Sequence, residues 1–452
     1  MSHFARNVCE LHNERVLERF VIAGRHGSVR TEVIGGITTF VSMAYIIAVN
    51  PAILSYAGIP IGPSTVATIL TAAFGTLLMG LIANRPFAVA PYMGENAFIA
   101  FGLAAFGITW QQRLGAVFIS GLVFLIITMA GLRTRLVEAI SPSMKHSFAA
   151  GIGLFLTFIG LTETGIVVPG KAVPVQIGDL RTATAILGIC GFVLTAALLQ
   201  RKVRGAILIG MVVTAAAGII AGAGEAPHAI MALPFRGQYD LSAIALKLDV
   251  VSVLRLSFLP ILLTLFLMSL LDTLGTLVGL GAAAGLLDEH GNFPDVEKPM
   301  IVDALSCIFS GLIGTSTSGA YIESATGIRE GARTGLASIV TAAMFALSLF
   351  FIPLFEPMQT LRFAYAPPLL VVGMLMVRSI ANIAFDDVTE LLPAFVTIVM
   401  MVFTYNIANG LTAGLLLYPV MKILAGRWRE LRPTTVVLGV ICALYYAVGL
   451  VH

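Results

Sequence analysis

Apolar runs of membrane-crossing length recur along the chain, separated by short polar breaks. A helix that crosses a bilayer needs about 20 apolar residues. The first half supplies seven such runs, at 31–55, 63–83, 86–105, 112–131, 145–163, 182–199 and 203–222. A polar stretch at 223–255 follows, and LSAIALKLDVVSVLRLS, which begins within it, reads as a surface helix. The second half supplies 256–281, 299–313, 315–329, 334–353, 365–385, 391–407 and 409–425. Seven spans on each side of one long loop predict a duplication, and an odd repeat length makes the two copies inverted. The expected organisation is a segment 1–30, a first repeat 31–222, an inter-repeat loop 223–255, a second repeat 256–425 and a C-terminal segment 426–452. Within the last, VVLGVICALYYAVGLVH (436–452) reads equally as a surface helix or as a fifteenth crossing.

Composition agrees with the pattern. The 452 residues are 58% hydrophobic and 11% charged, whereas soluble domains have about 45–50% apolar and about 25% charged residues. The chain is therefore read as a polytopic integral membrane protein whose first partner is the lipid bilayer. A net charge of +3 says little about partners, because the charges sit in loops where they set topology; no nucleic-acid partner is expected. Residues 1–30 are polar and mixed in charge, with no apolar core or cleavage site of a secretory signal. Arg6, Arg15, Arg19, Arg25 and Arg30 precede the first span and predict a cytoplasmic N-terminus in a plasma (inner) membrane. Further basic groups fall in loops expected inside: Arg85, Arg133 with Arg135, Arg201 to Arg204, Arg329 with Arg333, and Arg427 to Arg432. The four cysteines, Cys9, Cys190, Cys307 and Cys442, are scattered and have no metal-like spacing.

Two spans are poor helices and hold corresponding positions in the two halves. The third begins RPFAVAPYMGENAF (85–98), with Pro86, Pro91, Gly94, Glu95 and Asn96. The tenth is GTSTSGAYIESATG (314–327), rich in hydroxyls and glycine and carrying Glu323. Interrupted segments at matching positions point to a transporter's midplane site, because irregular backbone at that depth persists only in protein or beside a water-filled cavity. Thr315, Thr317 and Gly319 are spaced for a short extended segment, with a half-helix starting near Tyr321. Small residues alone would indicate tight helix packing; a membrane carboxylate is costly and marks function. In the eighth span, Asp272, Gly275, Thr276 and Gly279 stand at i, i+3, i+4 and i+7, so one face carries an acid with space beside it. The glycines of GTLVG and GAAAG are expected to serve packing.

Other polar residues have plainer readings. His12, His26 and His290 fall in solvent segments, and His146 beside Lys145 is expected at the headgroups. Asp386, Asp387 and Glu390 read as a solvated loop with helix-start acids, and Asn406 and Asn409 as a turn. No HExxH or GxSxG occurs, so an enzyme, a cofactor or a metal is not expected.

Taken together, TEVIGGITTFVSMAYIIAVNPAIL, APYMGENAF, DTLGTLVG, GTSTSGAYIESATGIREGARTGL and DDVTELLPAFVTIVMM resemble the nucleobase:cation symporter-2 family, and within it the AzgA-like purine permeases. The resemblance runs from about residue 28 to 430. It implies an all-α fold of 14 transmembrane segments in a 7+7 inverted repeat, with short strands in spans 3 and 10. Spans 1–4 and 8–11 would form a core domain and spans 5–7 and 12–14 a gate domain. It also implies import of a purine nucleobase (hypoxanthine, guanine, adenine or xanthine) with a cation, H⁺ before Na⁺. Asn96, Asp272 and Glu323 match the family's polar positions in spans 3, 8 and 10. The chain departs from the pattern at Tyr92 and Glu95, where relatives have Gly and Leu, and at Ser269, where many have a second acid. The expected substrate-binding set is Tyr92, Glu95, Asn96, Phe98, Asp272, Thr276, Ser318, Gly319, Tyr321 and Glu323, with Asp272 and Glu323 also coupling the proton. An anion carrier on the same fold is the alternative, disfavoured by three candidate acids. A membrane-embedded enzyme using Asp272 and Glu323 is the reading from another class. A homodimer is the oligomeric state to test.

Overall fold

A computed structural model describes residues 28–132, 139–287, 293 and 296–447. The N-terminal arginines before Arg30, Cys9, His12, His26, His290, Arg133, Arg135 and the end of the last apolar run lie outside the described residues.

Twelve of the expected spans are helical. In the first repeat they are span 1 (Val29–Met43 and Ile46–Leu54), span 2 (Ile61–Leu78), span 4 (Trp110–Met129), span 5 (Pro142–Glu163), span 6 (Ala183–Gln200) and span 7 (Ala206–Ile220). In the second they are span 8 (Leu259–Ala283), span 9 (Glu297–Ile313), span 11 (Gly335–Ser348), span 12 (Arg362–Val377), span 13 (Val388–Phe403) and span 14 (Ile407–Leu424). Among the described residues, nine helices are long and apolar enough to cross a membrane. Seven of these spans start at a residue whose side chain satisfies one of the first free N–H groups. Ser28 and Thr109 each form a reciprocal cap with the residue three positions on. Ser141, Thr182, Thr334, Asp387 and Asn406 cap spans 5, 6, 11, 13 and 14.

Spans 3 and 10 each open with a strand and continue as a short helix. In span 3, β1 (Val89–Pro91) precedes Met93–Ala97, and in span 10, β4 (Ser318–Ala320) precedes Ser324–Arg329. The strands pair antiparallel, with Val89 opposite Ala320, Ala90 opposite Gly319 and Pro91 opposite Ser318. Tyr92 N donates to the Thr317 carbonyl and Tyr321 N to the Ala88 carbonyl, both at 2.9 Å. This pairing provides partners for backbone that could not otherwise persist at membrane depth. The half-helix of span 10 starts at Ser324, later than expected, because Tyr321–Ser324 first makes a turn.

The packing repeats when seven is added to each span number. Span 4 packs on span 9 and span 11 on span 2; span 5 on span 13 and span 12 on span 6; span 6 on span 7 and span 13 on span 14. The antiparallel β1–β4 pair shows that the copies are inverted. Spans 1–4 with 8–11 pack as one helix group and spans 5–7 with 12–14 as another.

The connections differ more from expectation. The segment 241–257 is not one surface helix but short turns, with a single α-turn at Val250–Val253. Leu246 has a positive φ of 57°, and Asp240 and Asp249 each cap a new turn. Leu246 N donates to the Leu312 carbonyl and Asp249 N to that of Gln111, so the loop is strapped across spans 9 and 4. A hairpin of β2 (Val167–Pro169) and β3 (Val175–Ile177) joins spans 5 and 6. The last apolar run forms a helix, Pro433–Ala447, antiparallel to span 14. Its Gly439 lies on Pro419, and Tyr446 OH reaches the Asn409 carbonyl at 3.1 Å.

Candidate functional site

The two half-spans meet beneath the broken first span. Tyr92 and Tyr321 each follow their strand, and their rings lie 6.3 Å apart at 8°. The Tyr92 hydroxyl rests on Gly319, where any Cβ would enter its ring. Glycine at 319 is therefore a packing requirement of Tyr92. Tyr321 OH donates to the Pro91 carbonyl. Glu323 accepts from Tyr45 OH at 2.8 Å, and Tyr45 sits where span 1 breaks between Met43 and Ile46.

Span 8 brings Asp272 to the opposite side. Asp272 and Thr276 line a cavity of about 420 Å³ together with Lys145, His146 and Ile152 of span 5. Gly275 also lines this cavity, and nothing lies within 4 Å of where its side chain would start. Its expected packing role is therefore corrected: it borders open space. His146, at the start of span 5, also borders this cavity.

The remaining expected residues lie behind the cavity. Glu95 is fully buried next to Asp272. Asn96 donates to Asn50 Oδ1 at 2.9 Å, and Asn50 in turn donates to Thr68 and Thr315, both at 2.8 Å. Ser318 points into span 9, bonding Ser306 at 2.6 Å and Ser310 at 2.9 Å. Phe98 is fully buried, its ring packed on Gly102 and away from the tyrosines.

Several contributors were not picked out from sequence. Asp303 of span 9 is fully buried and accepts from Ala320 N and Thr273 Oγ1, each at 3.0 Å. Thr273 also contacts Tyr92 OH at 3.0 Å. Since Thr273 gives its only hydrogen to Asp303, Tyr92 donates to Thr273. Asp303 thus holds β4 and orients Tyr92. The signal available was an acid within an apolar run, the same signal that marked Asp272. Asn50 had a similar one, an Asn-Pro pair inside the apolar IIAVNPAIL.

Access is one-sided. The cavity includes Pro142, Lys145 and His146 at the start of span 5 and Ser379 after span 12. At the opposite ends of these spans the two helix groups are bonded together. Tyr56, just after span 1, bonds Glu163, and it contacts Tyr365 OH at 2.9 Å. Tyr365 also donates to Glu163 at 2.7 Å, and Arg362 lies 3.7 Å from the same carboxylate. Beneath them Tyr405 packs against Phe101, Phe155 and Phe158, with ring centroids 6.1, 5.3 and 5.6 Å away. Asn406 adds a bond to the Gly102 carbonyl at 3.0 Å.

Asp387 and Glu390 are more engaged than a solvated loop would be. Lys422, almost wholly buried, lies 3.0 Å from Glu390, and Arg427 lies 2.6 Å from Asp387. The hydroxyl of Thr389 and the Arg427 guanidinium hold the Asp387 carboxyl well below the usual carboxylate range.

A 7+7 inverted repeat with paired broken spans and a cavity between spans 5 and 8 beside them defines a membrane transporter. The fold is shared with the transmembrane domain of the cyanobacterial bicarbonate transporter BicA, at a TM-score of 0.62, 16% identity and coverage of 84% of this chain and 97% of that one. The Permease family (Xan_ur_permease) matches residues 30–412. The chain belongs to this family, the nucleobase:cation symporter-2 family of purine permeases. It is 44% identical to the putative permease MJ0326 of Methanocaldococcus jannaschii, over 96% of this chain and 98% of that protein. It is 39% identical to the adenine permease AdeQ of Escherichia coli K12, over 95% of each. The guanine/hypoxanthine permease PbuG of Bacillus subtilis is also 39% identical, over 93% of this chain and 96% of that protein.

Proposed function

We propose that this protein is a secondary active transporter that imports a purine nucleobase (adenine, guanine, hypoxanthine or xanthine) by symport with H⁺. The observation that carries the reading is the pairing of two broken spans, which bring Tyr92 and Tyr321 together, near a cavity whose wall carries Asp272. A purine is planar and polar at its edges, so it needs a stacking face and edge partners. Inserting a base between two rings requires about 7 Å. The Tyr92–Tyr321 spacing of 6.3 Å is shorter, so a base stacks on an outer ring face unless the tyrosines part. Glu323 and Asp272 accept N–H groups from the base edge, while Asn96, Ser318 and Phe98 act by holding the half-spans in place. A carboxyl in this low-dielectric site can also carry the coupled proton.

The cytoplasmic N-terminus expected from the arginines puts the start of span 5, and with it the open cavity, on the inside. The described state is then inward-facing, with Tyr56, Glu163 and Tyr365 closing the outer face. The helix group of spans 5–7 and 12–14 would be the gate that moves against the other. The three acids oppose the anion reading, since an anion site needs cationic or neutral partners.

Purified protein in proteoliposomes is expected to accumulate labelled adenine or hypoxanthine under an inward H⁺ gradient and to need no Na⁺. Failure to concentrate any of the four bases under either ion gradient overturns the assignment.

A further inference from the structure

The contact between spans 3 and 8 supports an inference that rests on the transport reading above. Glu95 is fully buried in the short helix Met93–Ala97, and while ionised its carboxyl oxygens have no hydrogen-bond donor in place among the described residues. Asp272 faces it with the two carboxyl groups within reach of one hydrogen. Spans 3 and 8 approach closely here, since a Cβ on neighbouring Gly94 would lie 4.0 Å from Asp272 Oδ2. Ser269, one turn before Asp272, is also buried with its hydroxyl unpartnered and turned toward Glu95. Two carboxylates this close, away from water, cannot both stay ionised; one keeps a proton and donates it to the other.

We propose that Glu95 and Asp272 together bind one transported proton, making Glu95 a coupling residue as well as a substrate-site residue. Asp272 stands on the cavity wall and Glu95 lies behind it, so the proton is exchanged with solvent through Asp272 and held by the pair. Filling the cavity with a base would remove that water and tie proton release to substrate release. The other titratable groups around Glu95 are Tyr92 in its own span, Cys307 of span 9 and Tyr321 of span 10. Span 1 offers Tyr45, which is engaged with Glu323, and span 5 offers Lys145 and His146 across the cavity. Asp303 lies farther back, beyond Thr273 and Tyr92. Among these, Asp272 is the carboxyl within reach of Glu95.

The test uses the full chain and has a substrate-free arm. Infrared difference spectra across a pH series should show a protonated-carboxyl band in the unmodified protein that is lost or displaced in both Glu95→Gln and Asp272→Asn. In proteoliposomes, Glu95→Gln should shift the midpoint of the pH dependence of purine counterflow by at least about one unit, a tenfold change in proton affinity. Glu95→Asp retains an acid and should retain H⁺-driven uptake, which guards against a folding defect in the amide variant. An infrared band and a pH profile both unchanged in Glu95→Gln overturn the proposal. If the unmodified protein moves no purine yet the band responds to both substitutions, the purine reading fails and the shared proton stands.

Discussion

Glu323 and Tyr45 are 278 residues apart in sequence yet joined by one hydrogen bond of 2.8 Å. The carboxyl has a fixed orientation because Tyr45 sits where span 1 loses its regular helix, leaving room for the ring to turn toward span 10. Glu323→Gln keeps the shape and removes the charge-assisted acceptor. A loss of about 1–3 kcal/mol is expected, or about 5- to 150-fold in purine affinity. Tyr45→Phe keeps the ring and removes only the donor, so it should weaken affinity in the same direction and by less. Binding of labelled base to purified protein checks both, and wild-type affinity in the two variants would move the site elsewhere. Not every buried acid has this meaning. Glu32 in span 1 accepts from Arg333 N at 2.9 Å and Thr334 N at 3.2 Å, where it caps span 11 and has a structural role.

At the scale of elements, the helix groups are joined firmly at one end and parted at the other. Tyr56 is the piece of the first group held by Glu163 and Tyr365 of the second. Opening the closed face must break the Tyr56–Glu163 bond, which contributes about 1 kcal/mol net. Tyr56→Phe should therefore raise the population open at that face about fivefold. A cysteine replacing Ile159, fully buried one turn inside Glu163, reports the change in a background without the native cysteines. Its labelling by an impermeant thiol reagent should speed up by that factor in Tyr56→Phe. Equal rates would show that the aromatic cluster around Tyr405 is the seal and the polar contacts are not.

For the whole molecule, the charge pattern and the packing together set the topology. Arg427, Arg429 and Arg432 lie between span 14 and the final helix, and the positive-inside rule places them in the cytoplasm. Glu430 is held by Arg427 and Lys422, so exposed Arg429 is the better labelling position. Arg429→Cys should react with an impermeant reagent in inverted vesicles and not in intact cells. Ala447→Cys should show the reverse, because the final helix returns along span 14 as far as Asn409. Reaction of both from one side would make that helix a surface helix.

The sequence by itself determined the spans, their number in each half and the two places where helix fails, because a membrane requires about 20 apolar residues per helix and tolerates polar breaks only with a reason. It also determined that Asp272 and Thr276 share a face, since a long regular helix carries its own period. Only the tertiary structure decided the directions of side chains in the broken spans. A three-residue strand and a five-residue helix are too short for any period to show a face. Thus Ser318 turned into span 9, Asn96 into Asn50 and Phe98 onto Gly102, while Tyr92 and Tyr321 came together. Tyr45, Asp303 and His146 gained their places through contacts between spans distant in sequence. Local pattern cannot encode such contacts, because they exist only once the two inverted halves have packed.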